Sequence, residues 1–292
     1  MPNLFWNPRA GAFDIWTVGC HALIMAYERL VQRDAGHDVG TRFIGRHIQY
    51  YPRLTSTMDA AREAALAGGA EGTVVLAGEQ TAGRGRLGRG WLSPSGCLTF
   101  SLVLYPEAHL LPGLVMVTTL AVAETITTVA SVPAGIKWPN DVQVGGKKIC
   151  GILVETGMRA DLTNYAIVGV GLNVNFDAAA YPEIGATATS LSVEVGRELS
   201  CAEVLHTLLV RFEHWYEAYL GGEPVFEAWR TSLTTIGQAV QVYAGGVLHD
   251  GVAEDVAPDG ALLLRQRDGH IMKVLAGDVT LKAPSAEDNG VT

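Results

Sequence analysis

Apolar and polar positions change period several times along this chain, and each change marks an element. Residues 1–46 show no period: Trp6, Gly11, Trp16, Gly19, Gly36 and Gly40 fall irregularly, and only Ala22–Arg33 reads as a helix. Met25 sits just ahead of the first legible helix, so residues 1–24 are expected to be poorly ordered or to lie upstream of the true start. From His47 the pattern sharpens. Ile48–Tyr51 predicts a short strand, and Ser56-Thr57-Met58-Asp59 has the capping form that opens a helix. Ala60–Ala67 continues that helix until Gly68-Gly69. Thr73–Ala77 and Leu98–Tyr105 are β-branched or apolar runs that predict strands, with a glycine-rich loop, Gly78–Gly96, between them. Pro112 suits the first turn of a long helix ending near Ser131. Ile136-Lys137-Trp138 is short and extended, because Pro139 follows. Val142–Val144, Gly145-Gly146 and Lys147–Glu155 predict a hairpin with a two-residue turn. Tyr165–Asn175 predicts a strand, Cys201–Leu220 a helix and Phe226–Leu233 a second, shorter helix. From Gly237 the period becomes two. Gly245-Gly246, Asp259-Gly260 and Asp268-Gly269 punctuate about 45 residues of short strands, the pattern of a small β-barrel.

Composition narrows the function classes. The chain has 292 residues, 48% hydrophobic and 17% charged, enough apolar material for one or two cores. Its formal net charge of −9 disfavours general binding to nucleic acid or to an anionic membrane. The apolar stretch Leu110–Ala130 carries Pro112, Glu124 and several threonines, and reads as a buried helix. Ile15–Tyr27 lacks charged residues but has no small-residue cleavage site, so a secretory signal is not expected. Cys20, Cys97, Cys150 and Cys201 form no CxxC pair and are expected to be buried or incidental thiols. The cytoplasm is the expected location.

Three segments carry chemistry. The first, Gly78–Trp91, contains a literal G-x-G-x-x-G at Gly83, Gly85 and Gly88, but a strand follows it, which argues against a dinucleotide site. Its distinguishing feature is charge. Arg84, Arg86 and Arg89 interleave with glycines in an otherwise acidic chain, as an anion-clamping loop requires. The bland alternative is a solubilising loop. The second segment is Lys137-Trp138-Pro139-Asn140-Asp141 followed by the hairpin lysines Lys147 and Lys148. It offers a phosphate-binding lysine and, in Asn140 and Asp141, candidate magnesium ligands; a plain turn with solvated lysines explains it equally well. In the third, Gly169 and Gly171 on one strand face would leave a groove for a flat ligand, or mark close packing.

In this order the segments resemble biotin protein ligases. The residues responsible are Gly83–Arg89, Lys137–Asp141, Lys148 with Gly151–Glu155, and Gly169–Asn173, and the resemblance runs from about His47 to Lys282. It implies an α/β (α+β) fold: a mixed-sheet catalytic domain like that of class II aminoacyl-tRNA synthetases, followed by a small SH3-like barrel. The expected division is residues 1–46 as an extension, 47–234 catalytic, 235–283 barrel and 284–292 tail. The resemblance implies ATP, Mg²⁺ and biotin as reactants, biotinyl-5′-adenylate as intermediate, and a lysine of a biotin carboxyl carrier domain of acetyl-CoA carboxylase or a related carboxylase as acceptor. It places Ser56, Thr57, Gln80, Gly83, Arg84, Arg86, Lys148, Gly151 and Gly169 against biotin. It places Arg86, Arg89, Trp91, Lys148 and Asn173 against the adenylate, and Asn140 with Asp141 near magnesium. Lys148, Arg84, Arg86 and Asp141 would carry catalysis. Met58 stands where the family often has Asn. Two further readings stay open: a lipoyl or octanoyl ligase or transferase of the same fold, and a DNA-binding biotin sensor. Residues 1–46 lack a basic helix-turn-helix pattern, so no DNA binding is expected, nor any membrane. A monomer or a homodimer is compatible with the sequence.

Overall fold

The computed structural model describes residues 40–161 and 163–281. The helix expected at Ala22–Arg33, the state of residues 1–24 and the tail from 284 lie outside the described residues.

A seven-stranded mixed sheet forms the larger part of the molecule. Its strands are β1 (Ile48–Tyr51), β2 (Val74–Ala77), β3 (Cys97–Leu104), β4 (Gly135–Lys137), β5 (Asp141–Val144), β6 (Lys147–Met158) and β7 (Asn164–Asn173), in the order β1-β2-β3-β7-β6-β5-β4. β1 and β2 pair in parallel and the other neighbours antiparallel. Both faces are covered, which is why β2 and β3 are buried along their whole length and are apolar apart from Thr99 and Ser101.

On one face lie α2 (Leu114–Ala130) and α4 (Cys201–Leu220), packed against each other. α2 is the long apolar helix the sequence predicted, and most of it is buried in the core. Pro112 falls just before it, in a short 3₁₀ segment, Ala108–Gly113. Its threonines are tolerated in the core because Thr118, Thr119 and Thr125 each donate a hydroxyl to the carbonyl four residues earlier. α4 also anchors the start of the described chain: the buried Glu213 carboxylate accepts the backbone N–H of Phe43 at 3.0 Å and of Ile44 at 2.7 Å.

On the opposite face lies α1 (Thr57–Leu66), packed through Met58, Ala61 and Ala65 onto Val75, Val103 and Ile167. Ser56 is its N-cap residue as expected, but its hydroxyl makes no capping bond. The helix α3 (Leu191–Val195) was not foreseen; five residues are too few for a readable period. α5 (Val225–Thr231) completes the helices.

The second sheet is antiparallel, ordered β11-β10-β9-β8-β12, from β8 (Ala239–Ala244), β9 (Val247–Val256), β10 (Leu262–Arg265), β11 (Ile271–Val274) and β12 (Asp278–Leu281). The turn glycines Gly245, Gly246, Gly260 and Gly269 all have positive φ, as tight hairpins require. This sheet does not stand apart. One buried cluster includes Val240, Val242 and Leu262 of the second sheet together with Leu114, Ile136 and Trp138 of the first part. Trp138 is 1% exposed and its indole N–H donates to the Gly260 carbonyl at 2.9 Å. Arg230 grips Asp255 through two bonds of 2.6 and 2.7 Å.

Candidate active site

Side chains at alternate positions of a strand share a face. On β7 this puts Tyr165, Ile167, Gly169 and Gly171 in one row, opposite Glu155, Leu153 and Gly151 of β6 and Val103, Ser101 and Thr99 of β3. α1 covers the beginning of the row. Beyond it Gly151, Gly169 and Gly171 form the floor of a cleft that Thr99 also lines.

The glycines allow close approach, and the chain itself makes that approach. A Cβ at Gly169 would lie 2.5 Å from the Met58 sulfur, and one at Gly171 would lie 2.3 Å from the Trp91 ring. At these two glycines the structure shows the close packing that was the alternative to a ligand groove: Met58 fills the space over Gly169 and the Trp91 ring the space over Gly171. The indole N–H of Trp91 and the hydroxyl of Ser56 are buried in the cleft wall without a hydrogen-bond partner. Two orphaned polar groups beside one cleft mark places where a ligand's polar atoms would be favoured.

The walls come from four segments. Thr57, at the start of α1, donates its N–H to Gln80 Oε1 at 2.7 Å, which ties the helix to the arginine loop. In that loop Gly83–Trp91 folds back on itself: Gly85 N–H meets Arg89 O and Trp91 N–H meets Gly83 O, both at 2.8 Å. At its tip Leu87 has φ 55° and is exposed.

Lys148 owes its direction to a bulge. Val142 pairs with Cys150 but Gln143 pairs with Lys148, so Ile149 is an extra residue in β6. Strict alternation would put Lys148 and Gly151 on opposite faces. The bulge re-aims Lys148, whose ammonium reaches 3.1 Å from a Cβ placed on Gly151. Its backbone is clamped as well, Lys148 N–H to Thr187 O and Thr189 N–H to Lys148 O. The Lys148 ammonium lies 2.7 Å from Asp141 Oδ1 and 5.5 Å from the Trp91 ring centre.

The three loop arginines differ in what faces them. Arg84 binds both oxygens of Asp59, at 2.7 and 2.8 Å, and lies 3.6 Å from Glu155. Its charge is already met, which does not fit the free anion clamp expected of it. Arg89 pairs with Asp278 of β12. Arg86 instead donates to neutral acceptors, the Asn140 amide oxygen at 2.9 Å and the Gly277 carbonyl at 3.4 Å. Burial lowers the pKa of the Arg86 guanidinium, with only partial compensation from Asp278 and Asp141. Burial likewise lowers Lys137, the cross-strand neighbour of Asp141.

Most of the expected site residues converge here: Ser56, Thr57, Gln80, Arg84, Arg86, Arg89, Trp91, Asn140, Asp141, Lys148, Gly151 and Gly169 line the cleft. Gly83 lines an adjoining groove that shares Gln80, Gly90 and Trp91 and runs on to Tyr181 and Ile184. Asn173 departs from expectation. It is 3% exposed, lines neither space, and is engaged with Thr189 O and the Cys97 thiol. The magnesium assignment also fails to fit. Asn140 offers its oxygen to Arg86 and its amide N–H to Ile152 O, and Asp141 is paired with Lys148. Among the described residues no group of three or more His, Cys, Asp or Glu is placed to hold a metal ion. Cys97, Cys150 and Cys201 are free thiols, the first two buried, and burial raises the pKa of all three. Sequence reading gave no site role to Asp59, Asp278 or Glu155: Asp59 stood only as part of a helix start and Glu155 only as the end of a strand motif, and neither pattern shows which arginine faces it.

Residues 50–173 match the Biotin/lipoate A/B protein ligase family, and residues 235–282 match the Biotin protein ligase C terminal domain. The biotin--[acetyl-CoA-carboxylase] ligase of Paracoccus denitrificans is 36% identical over 211 residues, 68% of this chain and 87% of that protein. The chain belongs to the biotin protein ligase family. Another member, the bifunctional ligase/repressor BirA of Bacillus subtilis, is 34% identical over 267 residues, 89% of this chain and 82% of the relative. That match is too long to lie within 47–282 and takes in part of residues 1–46. Among solved members, the Aquifex aeolicus biotin protein ligase in complex with biotin and ATP superposes with a TM-score of 0.71 at 30% identity, covering 81% of this chain and 99% of that one.

Proposed function

We propose that this biotin protein ligase family member activates biotin with ATP in the glycine-floored cleft and then passes it to a carrier lysine. One observation carries the reading. Arg86, half-buried with neutral hydrogen-bond acceptors, and Lys148, re-aimed by its bulge, bring two cations to one cleft. A half-buried guanidinium without a bonded carboxylate favours an incoming anion. Two anions must meet here, the biotin carboxylate and the α-phosphate.

In the first step a carboxylate oxygen attacks the α-phosphorus and pyrophosphate leaves, giving biotinyl-5′-adenylate. Lys148 and Arg86 offset the repulsion and stabilise charge on the phosphoryl oxygens. Ser56 and Thr57 supply polar groups at the end where biotin's ureido ring would lie, and Trp91 with the adjoining groove receives the nucleotide. In the second step the carrier amine attacks the acyl carbon, adenylate leaves and an amide forms. Asp141 orients that amine or takes its proton. The natural acceptor would be the carrier domain of a carboxylase, and the cytoplasm its location. On this reading residues 47–234 bear the chemistry, and 235–283 brace the arginine loop through Gly277 and Asp278.

The test is intact-mass analysis of a biotin carboxyl carrier domain incubated with the protein, ATP, Mg²⁺ and biotin, with lipoate and a lipoyl domain in parallel. One added biotin is the expected result. A mass gain with lipoate alone would move the chain to the sister activity. Ligation without DNA binding is expected; a gel shift with biotin-gene promoter DNA would overturn the second half of that statement. Arg86→Gly should still form adenylate but release it faster, and equal release rates would remove Arg86 from the clamp.

A further inference from the structure

The arginine loop covers the cleft without an apolar anchor at its tip, where Leu87 is 63% exposed. Polar contacts hold it instead, on two flanks. On one, Arg86 and Arg89 meet Asn140, Gly277 and Asp278. On the other, Arg84 meets Asp59 through two bonds of 2.7 and 2.8 Å.

The second flank is built to hold. Bidentate guanidinium–carboxylate pairs are the strong form of this contact. Asp59 is further fixed by Arg62 at 3.0 Å, and Arg62 also binds Glu155. Asp59 stands in the first turn of α1, where the helix dipole favours a carboxylate. Arg84 holds the Asp59 carboxyl below its usual pKa, against the opposing effect of partial burial. The same turn carries Thr57 and Met58, which form the cleft wall and cover Gly169. One helical turn therefore fixes both the floor of the cleft and the loop above it.

We propose that Asp59 is a positioning residue, a latch that holds the loop over the cleft through Arg84 and sets how fast the activated intermediate escapes. The rate half of this rests on the function proposed above; the latch itself does not. With Asp59 side chain 38% exposed, the latch is open to screening by salt.

Two readouts on the full chain separate these. The first is limited trypsin cleavage after Arg84, Arg86 and Arg89 in the free protein. Asp59→Asn should be nicked about five- to tenfold faster than wild type. Raising sodium chloride should speed nicking of wild type more than of Asp59→Asn, in which the Arg89–Asp278 pair is the loop contact left to be screened. Asp59→Glu, which keeps the charge, should recover most of the protection. The second readout is loss of labelled biotinyl-adenylate without acceptor, expected to rise by a similar factor in Asp59→Asn while pyrophosphate release stays close to wild type. Should Asp59→Asn fail to fold, Arg84→Gln is read in its place and should be nicked equally fast. Wild-type nicking rates in these variants, or an undiminished salt effect, would overturn the latch. Absence of adenylate from wild type would overturn the proposed function and leave the proteolysis test standing. Faster nicking with unchanged adenylate loss would overturn the rate half of the proposal.

Discussion

Lys148→Ala is expected to lose about 10²- to 10³-fold in the rate of pyrophosphate release, about 2.7–4 kcal/mol of transition-state stabilisation. Three features concentrate this effect on one side chain. The bulge at Ile149 turns Lys148 onto the cleft face, residues 187–189 clamp its backbone, and Asp141 holds its ammonium at 2.7 Å. A group so fixed needs little reorganisation when charge develops beside it. Arg84 does not substitute, because Asp59 binds it through both carboxylate oxygens and Glu155 lies beside it, whereas Lys148 meets one oxygen of Asp141. Lys148→Arg should recover little, since the larger planar head must fit beside Gly151 and the Trp91 ring. Single-turnover pyrophosphate release at saturating ATP and biotin measures the step. A loss confined to KM would make Lys148 a binding group only, and a loss below tenfold would refute its central place.

Trp138→Ala should have the largest effect on stability, about 3–5 kcal/mol by analogy with other buried aromatic truncations. The ring lies in the cluster that joins both sheets, and its N–H satisfies the Gly260 carbonyl. Removing it opens a void at the junction and orphans an acceptor. Trp138→Phe retains most of the volume and should cost only about 1–2 kcal/mol, the part owed to the hydrogen bond. Thermal unfolding followed by circular dichroism separates the two. A melting temperature for Trp138→Ala within a degree of wild type would show that the junction does not hold the sheets together.

Local signals made much of this fold readable. The period of α4 marks Cys201–Leu220 end to end, and the Gly-Gly and Asp-Gly turns punctuate the second sheet because tight hairpins demand those residues. Contacts between distant residues were not readable. Asp59 and Arg84 are 25 positions apart, Trp138 and Gly260 are 122, and Arg89 and Asp278 are 189. A single sequence shows that the loop is cationic but not which carboxylates face it. The hairpin around Gly145-Gly146 was legible, whereas its bulge was not, because one extra residue leaves the hydrophobic pattern nearly unchanged. The sequence likewise offered Arg84 and Arg86 as equals, although Arg84 meets a carboxylate and Arg86 neutral acceptors. Asn173 looked available from its motif, but pairing across β3 and residues 187–189 buries it.

The shared interior bears on how such a chain can be cut or recombined. A gene shortened before residue 235 would encode a protein whose Ile136, Trp138 and Leu114 lose the Val240, Val242 and Leu262 that belong to the same cluster. The result would be an oily surface rather than a smaller enzyme. Exchanging the last fifty or so residues between cousins would fail similarly, unless the matching face travelled with them. The two sheets therefore share one interior, so a change of shape on either facing surface has to be met by the other.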